Sequence, residues 1–112
     1  MKKIQATVRD ARLEAVVERL LLIGVRGLTV VEVKGFGRSG GHDAVFRGMS
    51  YRVEFRPKFV LEWVGADDDV DAVIRAILKS AATGRIGDGK IFVSPVEEVV
   101  RIRTGERGEA AL

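Results

Sequence analysis

Between residues 3 and 8 apolar and polar side chains alternate, with Ile4, Ala6 and Val8 on one face, which predicts a half-buried strand. Asp10 stands where a helix N-cap is wanted. Beyond it Leu13, Val16, Val17, Leu20 and Leu21 recur at helical spacing, one apolar stripe that Gly24 is placed to end. Residues 28–36 are β-branched and predict a second strand, and residues 59–64 a third. Asp67, Asp68 and Asp69 then offer a cap and first-turn negative charge to a second helix, with stripe Val70, Val73, Ile74, Ile77, Leu78 and Ala81. The two helical patterns coincide: Ala15, Val16, Val17, Leu20 and Leu21 lie over Ala72, Val73, Ile74, Ile77 and Leu78. The first strand falls on the third by the same shift. A strand–helix–strand unit used twice, with residues 91–94 as the last strand, gives an α+β chain of order βαββαβ. That is the ferredoxin-like plan of four antiparallel strands backed by two helices.

A sheet covered on one side only leaves a face in need of cover, and alternating positions such as Val30, Glu32, Val60 and Glu62 cannot all be buried by two helices. The stretch at about 37–55, rich in Gly, Arg and small residues, is long for a loop in a small domain, and such loops are usually functional. Tyr51, Val53 and Phe55 alternate with Arg52, Glu54 and Arg56, so its end reads as a protruding hairpin.

At 112 residues the chain is one domain, and 46% hydrophobic, 31% charged and only 2 Pro describe a globular fold. Its longest apolar run, residues 20–23, is far short of the roughly 18 residues of a membrane helix, and Gln5, Thr7, Arg9 and Asp10 interrupt any leader; a cytoplasmic protein is expected. With 0 Cys and 1 His, thiolate chemistry, zinc-thiolate sites and poly-His centres are excluded. A formal charge of +3 and a pI near 9.6 nominate anionic ligands without demanding nucleic acid.

Residues 84–90, Gly-Arg-Ile-Gly-Asp-Gly-Lys, spell G-x-x-x-x-G-K, the opening of a phosphate-binding loop in which glycine amides surround the oxygens and Lys90 neutralises them. Ile91 stands where a hydrolytic P-loop has the Mg²⁺-holding hydroxyl, and a strand follows where that loop leads into a helix. What remains binds phosphate without hydrolysing it. Arg101 and Arg103, two apart on an extended segment, would grip a polyphosphate together. His42 and Asp43 with Ser39 or Ser50 lie in one long loop without rigid support, so no catalytic triad is expected and the protein is not read as an enzyme.

Lys34-Gly35-Phe36-Gly37 opens like the RNP1 box of an RNA-recognition motif, which shares the βαββαβ order, so a module binding single-stranded RNA is the alternative reading. Against it, Arg38, Ser39, Gly40 and Gly41 occupy the places of the aromatics on which bases would stack.

From end to end the chain resembles the PII signal-transduction proteins, a nitrogen regulatory family. The resemblance rests on Val33-Lys34-Gly35-Phe36-Gly37-Arg38, on Arg47-Gly48 before Tyr51, on Thr83 followed by the glycine-rich run to Val93, and on Arg101-Ile102-Arg103-Thr104-Gly105-Glu106-Arg107-Gly108. It implies a homotrimer binding ATP or ADP between subunits, with Mg²⁺ and 2-oxoglutarate beside the triphosphate. Carried onto this sequence, Gly27, Thr29 and Val64 would meet base and ribose, Gly87, Asp88, Gly89 and Lys90 the phosphates, helped by Arg101 and Arg103. Gly35, Gly37 and Arg38 would form the base of a T-loop at about 37–55, with a phosphate-binding B-loop at about 82–90 and a C-terminal loop at about 102–109. Ser39, Gly40, Gly41, Lys58 and Gly87 would surround 2-oxoglutarate. The T-loop would dock onto an ammonium transporter or a nitrogen-assimilation enzyme or its regulator, and Tyr51 is the position that some members have uridylylated. The family's T-loop carries Gln-Lys where this chain has Ser39 and Gly40, and that Gln completes the Mg²⁺ shell, so 2-oxoglutarate binding is expected to suffer.

Overall fold

The computed structural model describes residues 1–37, 42–46, 49–53 and 55–112, the segments 42–46 and 49–53 as backbone. Along β1(Lys2–Arg9), Ile4, Ala6 and Val8 are each exposed by 1% or less, the alternation expected of a central strand with one face on the core. Helices α1(Leu13–Leu22) and α2(Val70–Ala81) lie side by side over that face. Together with β2(Thr29–Gly35), β5(Arg56–Gly65) and β6(Lys90–Pro95), β1 builds one antiparallel sheet in the order β2-β5-β1-β6. This is the expected ferredoxin-like plan, its core closed by Val16, Leu20, Leu61, Val73 and Ile77.

The long loop carries a hairpin, β3(His42–Phe46) paired antiparallel with β4(Met49–Val53), slightly ahead of the expected alternation. At its base Phe36 and Phe55 meet edge-to-face, with ring centroids 5.3 Å apart. Arg38, Ser39, Gly40, Gly41, Arg47 and Gly48 lie outside the described residues, as does the side chain of Tyr51.

Several local expectations change. Leu21 and Leu78, equivalent in the repeat, are 59% and 56% exposed, because the buried arc of each helix is set by the other helix as well as by the sheet; Ala76 is buried in their place. Asp10 is not a cap: it opens a 3₁₀ turn over Asp10–Arg12, its carboxylate accepting from the Ala11 amide. Asp67, Asp68 and Asp69 likewise form a 3₁₀ turn without a side-chain cap, and Asp67 pairs at 3.0 Å with the amino group of Met1. Gly24 does end α1: at φ 94° it lets the Val25 amide reach back to the Leu20 carbonyl at 3.0 Å.

β5 starts at Arg56, earlier than expected, and pairs on both sides. The register puts Val30 and Glu32 opposite Leu61 and Phe59, hence on the helix side, while Val31 and Thr29 oppose Val60 and Glu62 on the open face. The four positions Val30, Glu32, Val60 and Glu62 are therefore split between the two faces. Val31 and Phe92 remain 46% and 55% exposed on the open one.

Candidate functional site

Loop 82–90 joins α2 to β6 and is shaped by one carboxylate. Asp88 accepts from the amides of Thr83 and Gly84 at 2.8 and 3.0 Å, from the Thr83 hydroxyl, and from Arg9 Nε at 2.9 Å. The Thr83 hydroxyl in turn accepts from the Arg85 amide at 3.2 Å, and Arg9 Nη2 donates to the Ile86 carbonyl at 2.8 Å. So many donors, the Thr83 hydroxyl first and Arg9 next, hold the Asp88 carboxyl far below the usual carboxylate range. Asp88, expected to meet a ligand, thus has its carboxylate committed to the loop itself. Gly84, Gly87 and Gly89 take positive φ of 82°, 104° and 101°, which is how the chain folds back on this carboxylate within a few residues.

Gly89 has a second reason to be glycine. A Cβ there would fall 1.7 Å from the Thr7 carbonyl oxygen, so the loop seals against the central strand by backbone contact. Lys90 then opens β6 opposite Thr7, confirming a loop that runs into a strand.

Beside this loop is an open cleft of about 720 Å³ lined by Gly35, Phe36, Gly37, Lys58, Arg85, Phe92 and residues 87–90. Lys58 is the buried charge at its wall, 8% exposed, donating to the Gly87 carbonyl. Burial first, then the Arg9 and Arg56 charges, push its pKa below the ordinary lysine value. A lysine so placed favours an anion arriving in the cleft, which would relieve the repulsion that lowers it. Among the described residues no group of three or more His, Cys, Asp or Glu is placed to hold a metal ion.

Gly35, Gly37, Lys58, Gly87, Asp88, Gly89 and Lys90 are thus brought together as the sequence implied, but Gly27, Thr29 and Val64 are not among them. Gly27 and Val64 line a separate cavity of about 410 Å³ with Trp63 and Leu112. Thr29 starts β2 and Gly35 ends it, so the two groups are separated along one chain by about 20 Å of strand. Arg101 is tied to the second group through Leu112: it donates to the Leu112 carbonyl at 3.1 Å and to Glu106 at 2.8 Å.

The extended geometry expected for Arg101 and Arg103 is overturned. Residues 102–104 form a turn closed by the Arg101 amide on the Glu106 carbonyl, 2.9 Å, and followed by a bridge between Val100 and Arg107. The signal in the sequence is the glycine at 105, which takes φ 73°, and the Thr104–Glu106 hydrogen bond holds the turn. Arg103 stays exposed. Sequence reasoning missed Arg9 and Thr83, whose partners lie across the fold and in the loop.

The aromatic platform that RNA binding needs is not found on the described face of the sheet: Phe36 packs on Phe55, and Phe92 stands apart on β6. The RNA alternative has no support.

The sequence profile of the family described as Nitrogen regulatory protein P-II matches residues 1–106. Nitrogen regulatory protein P-II of Cereibacter sphaeroides is 54% identical to this chain over 112 residues, covering 100% of both chains. That of Rhizobium meliloti (strain 1021) is 55% identical over the same 112 residues, again 100% of both. The crystal structure of Arabidopsis thaliana PII bound to citrate superposes with a TM-score of 0.81 at 45% identity, over 99% of this chain and 91% of that one. With profile, sequence and fold in agreement over nearly its whole length, the chain belongs to the nitrogen regulatory P-II family.

Proposed function

We propose that this protein is a cytoplasmic, non-catalytic sensor that binds ATP or ADP in clefts between the subunits of a homotrimer. One observation carries the reading: the cationic half of the site, with Lys58 and Lys90, and the half with Gly27, Val64 and Arg101 lie at opposite ends of β2. One chain cannot wrap both around one nucleotide, whereas the ends of two neighbouring chains can. A second copy also covers the open sheet face that leaves Val31 and Phe92 exposed. The hairpin of residues 42–53 then reports the ligand to an ammonium transporter or to a nitrogen-assimilation enzyme or regulator.

ATP and ADP are expected to compete for one class of site without appreciable turnover, since the cleft offers phosphate neutralisation and, among the described residues, no placed general base. Lys90→Ala and Arg103→Ala should each weaken ATP by about tenfold or more, and ADP less, as charge-assisted contacts to the outer phosphates are removed. Calorimetry with each nucleotide, with and without Mg²⁺, reads this, and light scattering reads the trimer. Unchanged affinities in both variants, or a monomer, would contradict the proposal.

Mg²⁺ and 2-oxoglutarate are the finer step. A dianion beside a triphosphate needs a bridging cation, and Lys58 supplies only part of the compensation. Ser39 is too short to take the place of the family's Gln on that cation without water or backbone movement. Weak ATP-dependent 2-oxoglutarate binding is therefore expected, tightened by about tenfold in Ser39→Gln, with Gly40→Lys added if the loop requires it. Calorimetry in Mg²⁺-ATP that gave tight binding to the parent, with no gain in the variant, would remove position 39 as the control point.

A further inference from the structure

Loop 82–90 has a second side. Away from the cleft, Arg9, Arg12, Thr83 and Arg85 line a shallow concavity of about 340 Å³. Arg9 is neutralised there by Asp88, but the guanidiniums of Arg12 and Arg85 have no hydrogen bond or ion pair with any described residue. Arg12 is fixed on the 3₁₀ turn that enters α1, Arg85 on the loop that Asp88 holds in shape. The fold thus sets where the backbone carries each of them. Nearby, Lys58 and Lys90 add charge of the same sign, with Asp10 and Asp88 as the acidic counterweights.

From these placements we propose that the Arg12–Arg85 concavity is a docking site for a carboxylate-rich segment of a partner protein, distinct from the nucleotide cleft and coupled to it through Arg85. Two planar, unpaired guanidiniums lining one concavity suit carboxylates presented in pairs. A protein-borne segment suits the place better than a free anion. The concavity is shallow and Arg85 is exposed, so each pair is screened by water and contributes little by itself. Only a larger body adds the surrounding contact area that makes such pairs add up to binding. Arg85 also lines the cleft on the other side of the loop, so its guanidinium is shared between a ligand there and a partner carboxylate here. Acidic docking and occupation of the cleft by phosphates should therefore oppose one another. This coupling rests on the nucleotide reading above; the docking site itself does not.

The test uses the full chain with a hexaglutamate peptide as probe, and free glutarate and tripolyphosphate as small-anion comparisons. The peptide should shift the Arg12 and Arg85 Nε–Hε resonances and lose about tenfold in affinity between low and physiological salt. Arg12→Glu should weaken the peptide by about tenfold or more, Arg12→Lys by about threefold or less, and Arg75→Glu, the same charge change on exposed α2, by no more than the lysine variant. Saturating Mg²⁺-ATP should weaken the peptide in the parent, while Arg12→Glu leaves ATP affinity unaltered. Equal loss in Arg12→Glu and Arg75→Glu would mean net charge alone and overturn the site. Glutarate or tripolyphosphate held at Arg12 as tightly as the peptide would make it a small-anion site and overturn the docking reading. If the parent binds no ATP, the nucleotide proposal fails while the peptide arms still decide this one; if ATP binds without affecting the peptide, the coupling is overturned.

Discussion

Gly89→Ala should lower the stability of the fold by about 3 kcal/mol or more and abolish ligand binding in the cleft, whereas Gly84→Ala should cost about 1–2 kcal/mol. Both glycines sit at positive φ, 101° and 82°, so both substitutions carry the penalty of a left-handed backbone. They differ in what the new methyl meets. At Gly84 nothing lies within 4 Å, but at Gly89 the Thr7 carbonyl oxygen would be 1.7 Å away, and that oxygen belongs to the central strand, whose carbonyls cannot turn aside without breaking the ladder to β5 or β6. The loop must therefore lift off, carrying Lys90 out of register with Thr7. Urea unfolding of the two variants under identical conditions measures the difference. Equal losses would show that backbone conformation alone explains both glycines and that the loop does not depend on its seal against β1.

The architecture was legible because each layer repeats a period that sequence displays directly. Ile4, Ala6 and Val8 alternate and are buried, and Val16 with Leu20 finds its counterpart in Val73 with Ile77. Where the pattern misled, a second neighbour decided: Leu21 and Leu78 lie at the edge of their stripes, and the packing of α1 against α2 turns that edge to solvent. The aspartates before each helix looked like caps because nothing in a linear pattern separates a capping residue from one that opens a 3₁₀ turn.

The candidate site was legible in composition and not in roles. Three closely spaced glycines and a lysine read as a phosphate cradle; Gly87, Gly89 and Lys90 lie on one cleft of the chain, and the loop runs into a strand as expected. What the spacing could not contain is that Arg9, at the far end of β1 in sequence, neutralises Asp88, or that Lys58 is buried against the Gly87 carbonyl. Arg101 and Arg103 were read on an extended backbone, but Gly105 permits a turn that returns Glu106 to Arg101. The resemblance to P-II proteins implied a site shared between subunits, and this chain holds the residues named for it in two separate groups.

Asp88→Asn should dismantle the loop although it changes only charge and a single atom. Asp88 is an acceptor at every one of its contacts, taking the Thr83 hydroxyl and amide, the Gly84 amide and Arg9. An asparagine offers one oxygen and one NH₂ group, so at least one of these donors would face another donor, and Arg9 would lose its counter-charge beside Lys58 and Arg56. Hydrogen exchange at the Thr83 and Gly84 amides should accelerate by about tenfold or more, with ATP affinity falling by a similar factor. The pH dependence separates this from a general loss of stability. Since these contacts depress the folded pKa of Asp88 below its unfolded value near 3.9, their contribution is fully present above that value and is lost only as pH falls through the depressed one. Amide protection at Thr83 and Gly84 in the parent should therefore persist, after correction for intrinsic exchange, from about pH 7 down to about pH 4. Protection already failing between those limits, or unaltered in Asp88→Asn, would show that the carboxylate does not organise the loop.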